Sequence, residues 1–433
     1  MEYNQSLYGA LHDTYTRFPD RNSLLFMGKY LTYQKFIEKV DSLSAGFAGL
    51  GIKTGDVVTL AMPNVFEALF SFYALNRIGV ICHMVLPLTP VVQMSKFMKQ
   101  TGSKHLIILD SFFNNFKQLL EEPDKKFILA TPVTEFGIVK KLGYKVINSK
   151  KLKGIKYGKR IIKLGNLYSS NSVEQADVDP KRTAFLLHSG GTSGEPKTIE
   201  LSNYAINFLA AKLPFIMDLD NLKEVHMLAV LPMFHGFGLC MGIHAMLMAG
   251  GVDTLMPKFN ADEAVSLIKN NQCNVIIGVP SLFESLLHHE EFRSKAVKNI
   301  LQAYVGGDYV AQDLKNRYNE VMEYYYAPSR LLEGYGLTEV VTVSCVNTLK
   351  ENAEGTVGKP LPDIEMKIYD EQNKTFMEAN KPGEILVSGP TMMNGYLNDK
   401  QGTKSAIITI NSQKWVKTGD YGFVDESGYV HFK

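Results

Sequence analysis

An α/β fold is predicted: two helix-flanked, largely parallel β-sheet subdomains followed by a small distorted β-barrel. Three observations point to it. Short apolar runs alternate with helix-periodic stretches from residue 56 to about residue 330, which is the spacing of strand–helix–strand units on parallel sheet. Beyond Gly334 the helical pattern gives way to short strands separated by Gly, Pro and Asn. The chain has 433 residues, 45% of them apolar and 21% charged, enough for two or three sizeable cores.

Taken in order, residues 56–62 read as a buried strand, Asn64 as the cap of a helix ending before Gly79, and residues 80–85 as the next strand. Further strands are expected at 105–109, 127–130 and 184–187. From Ser202 a helix runs to about residue 217, then a strand at 225–231 and a helix to about 248 follow. A strand at 252–256 precedes a helix capped by Asn260, one at 274–279 precedes a helix from Ser281, and one at 300–305 precedes a helix from about 311. Strands at 341–346, 365–369, 384–388 and 429–433 make up the β-rich end. The expected division is 1–185, 186–330 and 331–433.

Composition excludes several classes. A net charge of +2 creates no global field for nucleic acid. Cys82, Cys240, Cys273 and Cys345 lie far apart inside apolar runs without a CxxC pair, so buried reduced thiols are expected. The N-terminus shows no charged-then-apolar leader and no uncharged apolar run approaches 18 residues, so a cytoplasmic protein without a transmembrane segment is expected. Residues 136–173 hold ten Lys/Arg and no acid. They read as a weak contact with an anionic membrane surface, as a nucleotide-phosphate site, or as a solvated linker. The solvated linker, with exposed helix or strand edges, is the better reading, because no aromatic or periodic partner accompanies the charges.

Chemistry concentrates in Ser189-Gly190-Gly191-Thr192-Ser193-Gly194-Glu195-Pro196-Lys197. The glycines let backbone N–H groups turn towards one point. Ser189, Thr192 and Ser193 add hydroxyls and Lys197 a cation, a cradle for polyphosphate. A Walker loop needs its lysine directly after the last glycine, opening a helix. Here Glu195 and Pro196 intervene, and residues 198–201 alternate like a strand, so the Walker geometry and its motors and kinases are disfavoured. A flexible surface turn is the plain alternative.

Four later segments carry weaker signals. Phe234-His235-Gly236-Phe237-Gly238 follows a strand end, although one histidine beside aromatics is commonly an ordinary core residue. Gly306-Gly307-Asp308 ends a strand and reads equally as a simple turn. In Glu333-Gly334-Tyr335-Gly336-Leu337-Thr338-Glu339 a tyrosine between glycines can stack, Thr338 can donate to phosphate, and Glu339 can hold Mg²⁺ together with substrate phosphates. Thr418-Gly419-Asp420 puts a carboxylate in a turn where it can accept a ribose diol.

Together these segments resemble the adenylate-forming superfamily of acyl-CoA synthetases, peptide-synthetase adenylation domains and luciferases. Residues 189–197 meet its [ST]-[SG]-G-[ST]-[ST]-G-x-P-K pattern at every position, and residues 335–339 meet Y-G-x-T-E. Thr198 and Asn203 depart from the family's usual Gly and His, outside the cradle. The opening pattern, residues 31–33, 51–56 and 63–64, and the late Gly383-Glu384-Ile385 and Gly395-Tyr396 also agree.

The resemblance implies a set of roles. Ser189, Gly190, Gly191, Thr192, Ser193, Gly194 and Lys197 would hold ATP phosphates, with Thr338. Gly306, Gly307, Asp308, Glu333, Gly334, Tyr335 and Gly336 would form the adenine site, and Asp420 would bind ribose. Glu339 and Thr192 would serve Mg²⁺, and Phe234, His235, Gly236 and Gly238 the acid. Thr192, Lys197, His235, Thr338 and Glu339 would be catalytic. Amino-acid-activating relatives carry Asp where this chain has His235, so an α-amino acid substrate is not expected.

The expected reaction joins ATP to a carboxylic acid, giving acyl-adenylate and pyrophosphate, then passes the acyl group to coenzyme A or a carrier-protein thiol. A medium- or long-chain fatty acid is favoured, because small Gly236 and Gly238 would leave room. An aryl acid is the alternative, as is a nucleotide-binding protein that has lost catalysis. The resemblance covers the large N-terminal domain. The C-terminal lid domain, with its bridging lysine, is absent from the sequence, so slow adenylation by residues 1–433 is expected.

Overall fold

The computed structural model describes residues 3–189, 196–219 and 222–433 and is built on three sheets. In the first, Val57–Ala61, Ile81–Met84, His105–Leu109, Lys126–Ala130 and Ile161–Lys163 run parallel, and Thr183–His188 lies parallel to Ile81–Met84. Most of their residues are buried, as expected of strands covered by helices on both faces. Thr198–Ser202 adds antiparallel to Thr183–His188, and Gly395–Tyr396 closes that edge.

The second sheet has a parallel centre of Val252–Leu255, His226–Ala229, Val275–Gly278, Gln302–Val305 and Leu331–Gly336. Val343–Val346 and Lys359–Pro360 extend it antiparallel. At the opposite edge, Asn22–Phe26 lies parallel to Val252–Leu255 and forms a hairpin with Lys29–Thr32. The third sheet is antiparallel, with Glu365–Asp370, Gly383–Ser388, Gln413–Val424 and Ile407–Ile410 at its centre. Tyr369, Leu386 and Trp415 pack together on it.

The contiguous division 1–185, 186–330 and 331–433 does not coincide with these sheets. The 22–32 hairpin belongs to the second sheet, and the strands flanking residues 189–197 belong to the first. Pairing across more than two hundred residues leaves no local mark in a sequence.

Three local expectations are also corrected. Asn64 does not cap the helix Phe66–Arg77, whose N-cap is Val65 without a side-chain bond. Its amide instead donates to the Ala229 and Leu231 carbonyls (both 2.9 Å) and accepts from Met233 N–H (3.1 Å), tying the first sheet to the second. The helix from Ser202 is two pieces, Asn203–Ala210 and Leu213–Met217, broken where Pro214 opens the second. The basic stretch contains the helix Ile138–Ile147, with Ile138, Leu142 and Val146 recurring every four residues, so a periodic apolar partner does accompany its charges.

All four cysteines are buried and unpaired. Among the described residues no helix is long and apolar enough to cross a membrane.

Candidate active site

The strand Thr183–His188 delivers Ser189 to the rim of a cavity of about 210 Å³. Ser189 N–H donates to the Lys197 carbonyl (3.0 Å) and Lys197 N–H to Ser189 Oγ (3.1 Å), closing the base of the glycine loop. Gly190, Gly191, Thr192, Ser193 and Gly194 lie outside the described residues. The strand Thr198–Ser202 follows Lys197 directly, so no helix opens behind the lysine and the Walker arrangement is excluded.

His235, Gly306, Gly307, Gly334, Tyr335, Gly336, Thr338 and Glu339 line the same cavity. Glu339 sits in a short 3₁₀ turn, Thr338–Val340, which runs into Val341 at φ 69°, ψ −64°. Thr342 N–H donates to the Val340 carbonyl (2.9 Å), so Val341 centres a γ-turn of the rare, strained hand. A β-branched residue at positive φ is costly and such strain collects at functional sites.

Two glycines hold this turn. A Cβ on Gly236 would stand 1.9 Å from the Val341 carbonyl oxygen, and one on Gly336 would stand 1.5 Å from that of Thr342. Gly236 is therefore used up by backbone approach. Gly238, too, meets backbone, the Pro232 carbonyl at 2.2 Å. Neither leaves room for substrate, which corrects the reason given for a large acid. The ring that faces the cavity is Phe237, at the start of the π-helical turn Phe237–His244, while Phe234 packs against the core.

The His235 imidazole is open to the cavity yet ringed by protein, and this desolvation lowers its pKa. It is neutral at pH 7. Phe237 N–H donates to His235 Nδ1 (3.3 Å), which places the proton on Nε2 as a donor.

Lys197 and Glu339 are joined by a residue that motif reading did not assign. Lys197 Nζ lies 4.4 Å from the Tyr396 ring centroid, and Tyr396 hydroxyl donates to Glu339 Oε1 (2.9 Å). Burial and the Glu339 carboxylate both raise the Tyr396 pKa, keeping it a donor. Its sequence signal was Gly395-Tyr396 among the late motifs. The chemistry becomes visible only when the two-residue strand pairs with Thr198–Ser202.

Tyr335 hydroxyl donates to Asp420 Oδ2 (2.6 Å). Asp420 is not in a turn before a strand. It lies within Gln413–Val424, where the pairing with Gly383–Ser388 slips between Lys417 and Tyr421. Gly419 at φ 76° makes the bulge, which re-aims Asp420 towards Tyr335.

Two expected residues turn elsewhere. Glu333 pairs with Lys315 Nζ (2.6 Å), away from the cavity. Asp308 is exposed and its Oδ1 accepts from Tyr309 N–H (2.8 Å). The deep end of the cavity is apolar, with Leu213, Ile216, Met227, Met241, Ile277 and the Tyr304 ring. Tyr304 hydroxyl is held by the Ile216 carbonyl (2.9 Å). Glu339 is the one carboxylate among the described lining residues.

The family model described as AMP-binding enzyme matches residues 11–397. The chain belongs to this family. It is an AMP-forming acid–thiol ligase of the acyl-CoA synthetase type, for which ATP and coenzyme A are the expected co-substrates. This AMP-binding enzyme is similar to a long-chain-fatty-acid–CoA ligase of Bacillus subtilis, 27% identical over 99% of this chain and 76% of that protein. It is also similar to 4-coumarate-CoA ligase 1 of Narcissus pseudonarcissus, 27% identical over 96% of this chain and 72% of the relative. Its fold matches an anthranilate CoA ligase solved with anthranoyl-AMP, with a TM-score of 0.84 and 17% identity over 100% of this chain and 78% of the other.

Proposed function

We propose that this AMP-binding enzyme activates a medium- or long-chain fatty acid. The observation that carries the reading is the deep end of the cavity, where Leu213, Ile216, Met227, Met241, Ile277 and Tyr304 present no charged group. A tail bearing an ammonium or second carboxylate would lose its hydration there without a partner. The acid's carboxylate sits beside His235, whose neutral imidazole offers Nε2–H without adding charge.

A carboxylate oxygen attacks the α-phosphorus of ATP, the bond to pyrophosphate breaks, and acyl-adenylate forms. A thiol, of coenzyme A or a carrier protein, then takes the acyl group and AMP leaves. Tyr335 stacks on adenine beside Gly306 and Gly307, and Asp420 accepts the ribose hydroxyls. Lys197, Thr338 and the Ser189–Lys197 loop bind phosphate. Glu339 keeps one oxygen clear of Tyr396 and faces the cavity, which suits Mg²⁺ bound by one carboxylate plus phosphates. Mg²⁺ would offset charge on the triphosphate. Positioning and preorganised charge supply most of the rate in such sites.

A second reading, an aryl acid, is favoured by Phe237 and Tyr304, two aromatic side chains on the same cavity. Thermal denaturation with ATP, Mg²⁺ and a panel of acids separates them. Acids of eight or more carbons are expected to raise Tm by several degrees at concentrations well above Kd. Stabilisation by benzoates and cinnamates alone would overturn the fatty-acid reading.

A further inference from the structure

The helix Ile138–Ile147 wears its apolar stripe on the outside. Ile138, Val139, Leu142 and Val146 share one face and are 74%, 82%, 57% and 73% exposed. Tyr144, on the opposite face, fastens the helix to the body through its hydroxyl and the Asp110 carboxylate. Lys140, also turned inward, donates to the Met27 carbonyl (2.6 Å). The orientation is thus set by polar anchors, and the stripe is left to solvent. A surface helix ordinarily does the reverse, and a contiguous exposed apolar patch marks a contact.

The charges around it choose the partner. Lys141 and Lys145 flank the stripe, and Lys150, Lys151, Lys153, Lys156 and Lys159 follow, all exposed. Among the described residues no acidic side chain pairs with any of these seven. The whole chain carries only two more basic than acidic residues, so positive charge is concentrated on this face. Beside the helix opens an apolar cavity of about 430 Å³, lined by Phe26, Met27, Val65, Leu109, Val133 and Ile147.

We propose that this face docks on a bilayer surface bearing anionic lipid. An aliphatic stripe lying in the plane of the headgroups, with a lysine collar on anionic lipids, is the arrangement of an interfacial helix. A second copy of this chain would bring two unpaired lysine clusters together. A protein partner would more naturally meet aromatic and arginine anchors than lysine, which is depleted in interface cores. The inference does not depend on which acid the enzyme activates.

Co-sedimentation with vesicles tests it. Binding to phosphatidylcholine vesicles containing 30% phosphatidylglycerol is expected, with little binding to phosphatidylcholine alone and weakening as salt rises. Leu142→Glu with Val146→Glu should lower partitioning at least tenfold. Lys141→Gln and Lys145→Gln should each lower it roughly fivefold. Each variant should keep its Tm and its ATP affinity, because the side chains point away from the body. Equal binding to neutral and anionic vesicles, or no binding by the folded wild type, would overturn the proposal. So would a dimer in sedimentation velocity that Leu142→Glu with Val146→Glu disperses, since a second copy would then own the stripe.

Discussion

At the scale of single residues, Tyr396 has the largest consequence for its size. Its ring faces Lys197 Nζ and its hydroxyl holds Glu339, so one side chain sets the spacing of a cation and a carboxylate. A hydrogen bond to a charged group contributes about 1.5–3 kcal/mol, so Tyr396→Phe is expected to lower kcat/KM for acyl-adenylate formation about 10- to 100-fold. Tyr396→Ala should cost more, since it also removes the face beneath Lys197. Activity of Tyr396→Phe within twofold of wild type would show that Glu339 is positioned by other means.

Glu67 tests burial rather than chemistry. It is 1% exposed on the helix Phe66–Arg77, and desolvation raises its pKa from the ordinary 4.5 to about 7. The folded protein therefore keeps this proton up to about pH 7, while the unfolded chain gives it up near 4.5. Its stability contribution is complete below about pH 4.5 and is lost as pH rises through about 7, levelling off above that. Glu67→Gln should gain on wild type by up to about 3 kcal/mol between pH 4.5 and 8, at about 1.4 kcal/mol per pKa unit. Urea unfolding of both proteins across that range measures the difference, and a constant gap would contradict it.

At the scale of elements, the strained turn at Val341 decides how Glu339 is shown to the cavity. The turn exists because Gly236 and Gly336 let backbone approach backbone. Gly236→Ala must push the Val341 carbonyl away, an overpacking that costs about 1–3 kcal/mol. Its Tm should fall, and its KM for MgATP should rise as Glu339 shifts. An unchanged KM at lowered Tm would mean the turn adjusts without moving the carboxylate. The bulge at 418–420 is a second such device: Asp420 reaches Tyr335 because the ladder slips there.

At the scale of the whole molecule, the cavity lies where the sheets meet, and Asn64 is one of the bonds between them. Its three hydrogen bonds to the backbone of 229–233 end two residues before His235. Asn64→Ala leaves the Leu231 carbonyl and Met233 N–H without their partner, while the Ala229 carbonyl keeps Met256 N–H (3.2 Å). The cost is about 1–3 kcal/mol for each unpaired group that water does not reach. A loss of roughly 2–4 kcal/mol in urea unfolding is expected, with a raised KM for the acid. A loss under 1 kcal/mol would show that the sheets hold their relation without it.

Local pattern carried much of this protein. Apolar runs bounded by glycine and asparagine marked most of the strands, Pro196 and the alternation after Lys197 ruled out a Walker loop, and the resemblance of residues 189–197 and 335–339 to a known family's motifs pointed to the chemistry. These features depend on neighbours within a few residues. Where contacts are long-range, the sequence misled or was silent. It assigned Asn64 to a cap, Glu333 to the nucleotide, and Gly236 and Gly238 to substrate room, and it left Tyr396 without a role. Asn64, Gly236 and Tyr396 are answered by groups far along the chain, so only the folded arrangement could say which way each faces. Glu333 and Gly238 meet nearer groups, Lys315 and the Pro232 carbonyl, brought to them by helix–strand packing and a turn that residue pattern alone does not draw.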